Sequence, residues 1–145
     1  MRQQAPFLHC GDRVYHHYAD TLVALVPTLI LPTLYYGLRP LLLVLSGLAT
    51  AVLCELIGCL CMRRKPTVGD CSAAATGALI GALMSPLCPY WMPVIGAAFA
   101  ILIVKLPFGG TGRYLFSPAA AALALLSQCW PHRLFTYPVL STPLP

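Results

Sequence analysis

Charge is nearly absent from long stretches of this chain, and the polar residues that interrupt them are clustered. Residues 21–38 carry no charge, residues 40–62 carry one (Glu55), residues 71–104 carry none, and residues 114–130 form a last apolar run. Crossing a hydrocarbon core of about 30 Å takes about 20 apolar residues in a helix, so these runs predict membrane spans. The run at 71–104 is too long for one span, and Pro86-Leu87-Cys88-Pro89 divides it around a tight turn. The pattern predicts an all-α integral membrane protein with about five transmembrane helices. Residues 1–20 read as an N-terminal tail, 21–130 as the five-helix membrane domain, and 131–145 as a Pro-rich C-terminal tail or linker.

Composition agrees with that class. The chain has 145 residues, of which 59% are hydrophobic and 9% charged. A soluble domain carries about 25% charged residues. A soluble fold of this size has too few polar groups to cover so much apolar surface, which leaves the bilayer as solvent. The first twenty residues are polar and mixed and do not read as a signal-peptide hydrophobic region.

Cations orient the spans. Arg2, Arg13, Arg63, Arg64, Lys65, Lys105 and Arg113 fall on one side, Arg39 and Arg133 on the other. The excess of Lys and Arg in cytoplasmic loops then predicts a cytoplasmic N-terminus. Tyr35, Tyr36, Tyr90, Trp91 and Trp130 collect at the opposite interface, where amphipathic rings prefer to sit. The net charge of +5 is an orientation signal; nucleic-acid binding would need a basic face on a soluble domain. An odd number of spans followed by a copy of itself gives an inverted repeat, so five helices suit one half of such a bundle.

The densest motif is Lys-Leu-Pro-Phe-Gly-Gly-Thr-Gly-Arg-Tyr-Leu-Phe-Ser-Pro-Ala from Lys105. Gly109, Gly110 and Gly112 permit a sharp turn and close backbone approach to a ligand. Two cations and two aromatics beside that turn suit a flat, hydrogen-bonding cofactor or an anionic group. Upstream stand Asp-Cys-Ser-Ala-Ala-Ala-Thr-Gly from Asp70, and a Pro-x-x-Pro-x-Trp loop of Pro86, Pro89 and Trp91.

With these three ordered motifs the chain resembles the D subunit of Rnf-type ion-translocating electron-transport complexes. It is similar also to the B subunit of the sodium-pumping NADH:quinone reductase. The resemblance is strongest over residues 70–119 and continues back to about residue 18. It implies a membrane subunit, or the N-terminal half of one, in a flavin-containing oxidoreductase. Electron flow from ferredoxin or NADH would be coupled there to Na⁺ or H⁺ transport, in a bacterial inner membrane, beside other subunits of the complex. On its own the chain would be a scaffold and no catalyst. The resemblance also implies a non-covalent flavin, FMN or riboflavin, at Lys105, Gly109, Gly110, Gly112, Arg113, Phe116, Ser117 and Pro118. The family's covalent attachment motif, Ser-Gly-Ala-Thr, does not occur in this sequence. Where the family typically has asparagines, this chain has Tyr114 and Ser117, which keep a hydroxyl each.

The residues alone also leave open a different class, half of an inverted-repeat channel or transporter for a small solute without redox chemistry. A third reading is an incomplete gene product with no independent activity. Glu55 is the candidate ion-pathway residue. A carboxylate within a span is costly and by default faces a bundle interior, against the plainer reading of a structural hydrogen bond. It lies about 10 Å inside the nearer helix end at about 1.5 Å per residue. Asp70 suits a helix N-cap, and Gly77-Ala-Leu-Ile-Gly81 with Ala73 suits close helix packing.

Of the seven cysteines, Cys59 and Cys61 point apart on a helix, and Cys88 and Cys129 fall near one face and are candidates for a disulfide. No metal site is expected. His9, His16 and His17 read as a solvated tail. The glycine turn lacks the Gly-Lys-Ser/Thr of a phosphate-binding loop and the third glycine of a dinucleotide fingerprint.

Overall fold

The computed structural model describes residues 14–61, 71–107 and 116–137, and these are mostly helical with no strand among them. The order is α1 (Val14–Tyr36), α2 (Arg39–Cys61), α3 (Ser72–Ala82), α4 (Trp91–Phe99), α5 (Pro118–Cys129) and the single turn α6 (Pro131–Leu134). α4 runs on without a break as a π-helix over Ala100–Lys105. The molecule is an all-α membrane protein, as expected.

Its burial pattern inverts that of a water-soluble bundle. Val26, Ile30, Leu31 and Leu34 of α1 point outward, as do Leu53, Ile57 and Leu60 of α2 and Ile103 of the π-helix. Ala51, Ala73, Ala78, Ala97, Ala100 and Ala122 lie inside, with Gly47, Gly58, Gly77 and Gly81. Lipid tails are as apolar as leucine, so membrane helices associate through small residues that let backbones approach, and large side chains are left for the lipid.

The pairing of α2 with α3 is the most extensive in the bundle. A Cβ placed on Gly47 would lie 2.6 Å from the carbonyl oxygen of Gly77, and one on Gly81 would lie 2.6 Å from Val44 Cα. This is the small-residue crossing expected of Gly77 and Gly81, with Gly47 as its partner. α4 packs mainly on α2, and α5 on α4, α3 and the π-helix. α1 is peripheral, with no buried residue among those described.

The connections follow from local chemistry. Gly37, at φ +70°, closes α1 in the left-handed region, and Pro40 sits in the first turn of α2. α5 opens with Pro118 at its first position, after Ser117. Pro27 and Pro32 stand inside α1, where the Thr28 and Thr33 hydroxyls donate to the carbonyls of Leu25 and Leu29 at 2.6 Å each.

Several boundaries differ from those expected. α1 starts at Val14, inside the stretch assigned to the tail, because no breaker separates Val14 from Thr21. α3 ends at Ala82 and α4 begins at Trp91, so the proline turn is wider than a tight turn. It is held by Cys88 N–H donating to Ser85 O at 2.9 Å and Met92 N–H to Pro89 O at 3.1 Å. The last run begins at Pro118, because proline suits the first turn of a helix, where its missing N–H is not needed. As a result α1 and α2 have the length and hydropathy of a full crossing, while α3, α4 with its π extension, and α5 are shorter apolar helices.

One end of the bundle gathers the aromatic residues. Trp91 and Trp130 meet edge to face at 5.0 Å between ring centroids, and the Arg39 guanidinium lies 6.0 Å from the Tyr90 ring centre. Ser85 Oγ donates to Thr136 O at 2.5 Å, and Cys88 Sγ to Arg133 O at 3.1 Å, which ties the segment after α5 to the α3–α4 turn. Cys88 is buried and Cys129 exposed, and both are free thiols, so the candidate disulfide is not formed.

Candidate functional site: a buried ion pair between three helices

Near the opposite end three elements converge on one charge pair. Lys105 Nζ donates to Glu55 Oε1 at 2.6 Å and to Ser72 Oγ at 2.5 Å. Both side chains of the ion pair are 1% exposed. Glu55 comes from α2, Ser72 is the first residue of α3, and Lys105 is the last residue of the π-helix.

Each partner is placed by local structure. The π register carries Lys105 inward; Leu106 N–H donates to Ile101 O at 2.9 Å, a bond from residue i+5 to residue i. π turns inside α-helices frequently mark functional sites. Gly58, one turn after Glu55 on α2, leaves the space that Leu106 fills, since a Cβ on Gly58 would overlap Leu106 Cδ1. The N-cap of α3 is Cys71, left-handed at φ 54°, with no side-chain cap bond. Asp70, the expected cap, lies outside the described residues. Thr76 Oγ1 donates to Ser72 O at 2.8 Å within α3, a local structural bond.

Removing two charges from water costs several kcal/mol per ion, and good geometry with extra hydrogen bonds is what offsets it. Here the lysine has a carboxylate and a hydroxyl as acceptors. The pair is neutral as a unit, and losing either member would leave a buried charge.

The site residues expected from sequence are distributed unevenly. Glu55 is fully buried, facing the bundle interior. Lys105, expected beside the glycine turn as a cofactor contact, is instead committed to Glu55 and Ser72, because the π turn rotates it inward. Phe116 is 72% exposed, Ser117 is exposed and Pro118 is buried at the start of α5. Gly109, Gly110, Gly112 and Arg113 lie outside the described residues. A cavity of about 400 Å³ opens between α1 and α3, lined by Leu25, Leu29, Pro32, Tyr36, Leu79 and Tyr137 among others, away from Lys105 and Ser117. His16 and His17 are exposed on α1, with His17 edge-on to Tyr18 at 5.8 Å, and His9 lies outside the described residues.

The model of the NQR2, RnfD, RnfE family matches residues 1–142. The chain belongs to that family. Among relatives of this NQR2, RnfD, RnfE chain are three proteins, each named as the D subunit of an ion-translocating oxidoreductase complex. The one from Aeromonas salmonicida is 37% identical over 135 residues, covering 92% of this chain and 39% of the relative. That from Aliivibrio salmonicida is 39% identical over 117 residues, 79% of this chain and 33% of its own length. That from Yersinia enterocolitica is 33% identical over 147 residues, 97% and 42%. This family member therefore spans about two-fifths of the length of the relatives it matches.

Proposed function

We propose that this chain is a membrane subunit, or part of one, in a flavin-containing, ion-translocating electron-transport oxidoreductase complex. Electrons from ferredoxin or NADH would drive Na⁺ or H⁺ across a bacterial inner membrane. The observation that carries this reading is identity of 33–39% to proteins named for that complex, along most of this chain. The chain's part is structural and ion-conducting, with Glu55 in the ion pathway. A cytoplasmic N-terminus is supported by the cations. With Lys105 withdrawn into the interior, Arg2, Arg13, Arg63, Arg64, Lys65 and Arg113 still oppose Arg39 and Arg133.

The described residues do not themselves fit a flavin. Lys105 is engaged elsewhere, and Phe116 and Ser117 stand open. A flavin at the glycine turn would rest on Gly109, Gly110, Gly112 and Arg113. An absorption spectrum of the chain purified in mild detergent tests this; an extractable flavin lost in Arg113→Ala would place it there.

The test of the function is to delete the gene in its host and follow ion uptake by inverted membrane vesicles given NADH or reduced ferredoxin. Loss of redox-driven uptake, with co-purification of flavin or iron–sulfur subunits on the tagged chain, supports the reading. Unchanged uptake and a chain that purifies without redox subunits refutes it, and solute flux through the chain alone in liposomes would then favour a pore.

A further inference from the structure

We propose that the Lys105 ammonium is a tethered occupant of a monovalent-cation site formed by Glu55 and Ser72, and that the transported cation enters by displacing it. This rests on the reading of Glu55 as an ion-pathway carboxylate and names how that site is regulated.

The donor set is a carboxylate oxygen and a hydroxyl oxygen, at 2.6 and 2.5 Å from the ammonium nitrogen. Hard oxygens suit hard cations, and about 2.3–2.6 Å is the usual oxygen distance for a cation of calcium's size, close to that of sodium. The place is built and buried, with Glu55 0% and Ser72 2% exposed.

Charge then dictates the exchange. The site holds one negative and one positive charge. Adding a second cation would leave a net positive charge within the membrane, a costly state. One cation therefore enters as one ammonium leaves, and the carboxylate is neutralised throughout. Lys105 is positioned to leave. It ends the π-helix, Pro107 two residues on is exposed, and a lysine stem near a helix end can turn its charge toward the interface. A purely structural pair would instead lock α2, α3 and α4 together and be indifferent to small cations.

The experiment is thermal unfolding of the full chain in detergent, in sodium, ammonium and choline chloride at equal ionic strength. Lys105→Ala should unfold well below the parent chain in choline and regain several degrees in sodium or ammonium, since a ligand that binds the folded state raises its stability. The parent chain, its site already filled, should distinguish the salts far less. The double variant Lys105→Ala with Glu55→Gln should fold and treat all three salts alike. Lys105→Gln is carried through the same series in case the alanine variant is too unstable. An equal response to choline and sodium overturns the proposal. So does failure of both single variants to fold in sodium and ammonium as well as choline. The readout needs no electron donor and no partner, so failure of the redox reading leaves this result interpretable. Redox-driven ion uptake whose sodium dependence is unchanged in Lys105→Ala would remove the competition alone.

Discussion

Gly77→Ala adds a single methyl group at the tightest point of the α2–α3 crossing. That methyl would overlap the carbonyl oxygen of Gly47, and would lie 2.7 Å from Ala51 Cβ and 2.9 Å from the Gly47 carbonyl carbon. Ordinary carbon contacts sit at about 3.5–4.0 Å, so the two helices must separate by about 1 Å. Two of the three obstructing atoms are backbone, and no side-chain rotation relieves them. Overpacking of this kind costs about 1–3 kcal/mol. Helix propensity returns about 1 kcal/mol, and burying a methyl among lipid-like surroundings returns little. Because the obstruction is mostly backbone, the clash falls in the upper half of that range, and the net expectation is a loss of about 1–2 kcal/mol.

The same 1 Å shift would carry Ser72, on the same helix, beyond good hydrogen-bond distance of Lys105, to about 3.5 Å from the present 2.5 Å. The assay is unfolding in detergent followed by circular dichroism, with Gly96→Ala alongside. At Gly96 the nearest atom is Leu126 Cδ1 at 2.8 Å, the free end of a flexible side chain, and that variant should stay within about 0.5 kcal/mol of the parent. A Gly77→Ala chain as stable as the parent, or one more stable than Gly96→Ala, would show that the crossing has slack the backbone distances deny.

Maleimide should label exposed Cys129 much faster than Cys88, whose burial raises its thiol above the usual range, as peptide mass mapping after short labelling would show. Trp130→Ala removes the edge-to-face partner of Trp91 and should cost about 1–2 kcal/mol, with loss of near-ultraviolet dichroism. Ser85→Ala leaves Thr136 O without its donor; a loss of about 1 kcal/mol and faster amide exchange in the α6 segment are expected by exchange mass spectrometry.

The sequence showed the outline of this fold more readily than its interior. The uncharged runs at 21–38 and 40–62 foretold α1 and α2, because a helix that faces lipid must be apolar along its length. Gly77 and Gly81 foretold a close crossing, yet nothing in the chain pointed to Gly47 as partner, since complementarity between residues so far apart in the chain leaves no local trace. Glu55 was conspicuous as the lone charge in a span. Lys105 was read as a surface cation beside the glycine turn, because counting residues at an α-helical rise puts it at the membrane surface. The π turn that brings it in has no sequence signature, and the two residues stand 50 positions apart. The short helices were overestimated for a similar reason. Hydropathy marks where a chain is apolar and is blind to where Ala82 gives way to a wide turn or where Pro118 begins a helix.

The π-helix also separates two kinds of inherited change. It amounts to one peptide unit more than an α-helix would use to cover the same rise from Ala100 to Lys105. Deleting any single residue from Ala100 to Val104, whatever its identity, would let the ladder relax to α geometry and turn Lys105 by about 100° around the axis, off the face that meets α2. Exchanging lipid-facing Leu102 or Ile103 for another apolar residue would leave the ladder as it is. In a lineage of such chains, segment length at this point is expected to be held fixed while spelling drifts, and a one-residue gap there would mark a descendant that has lost the lysine's hold on Glu55.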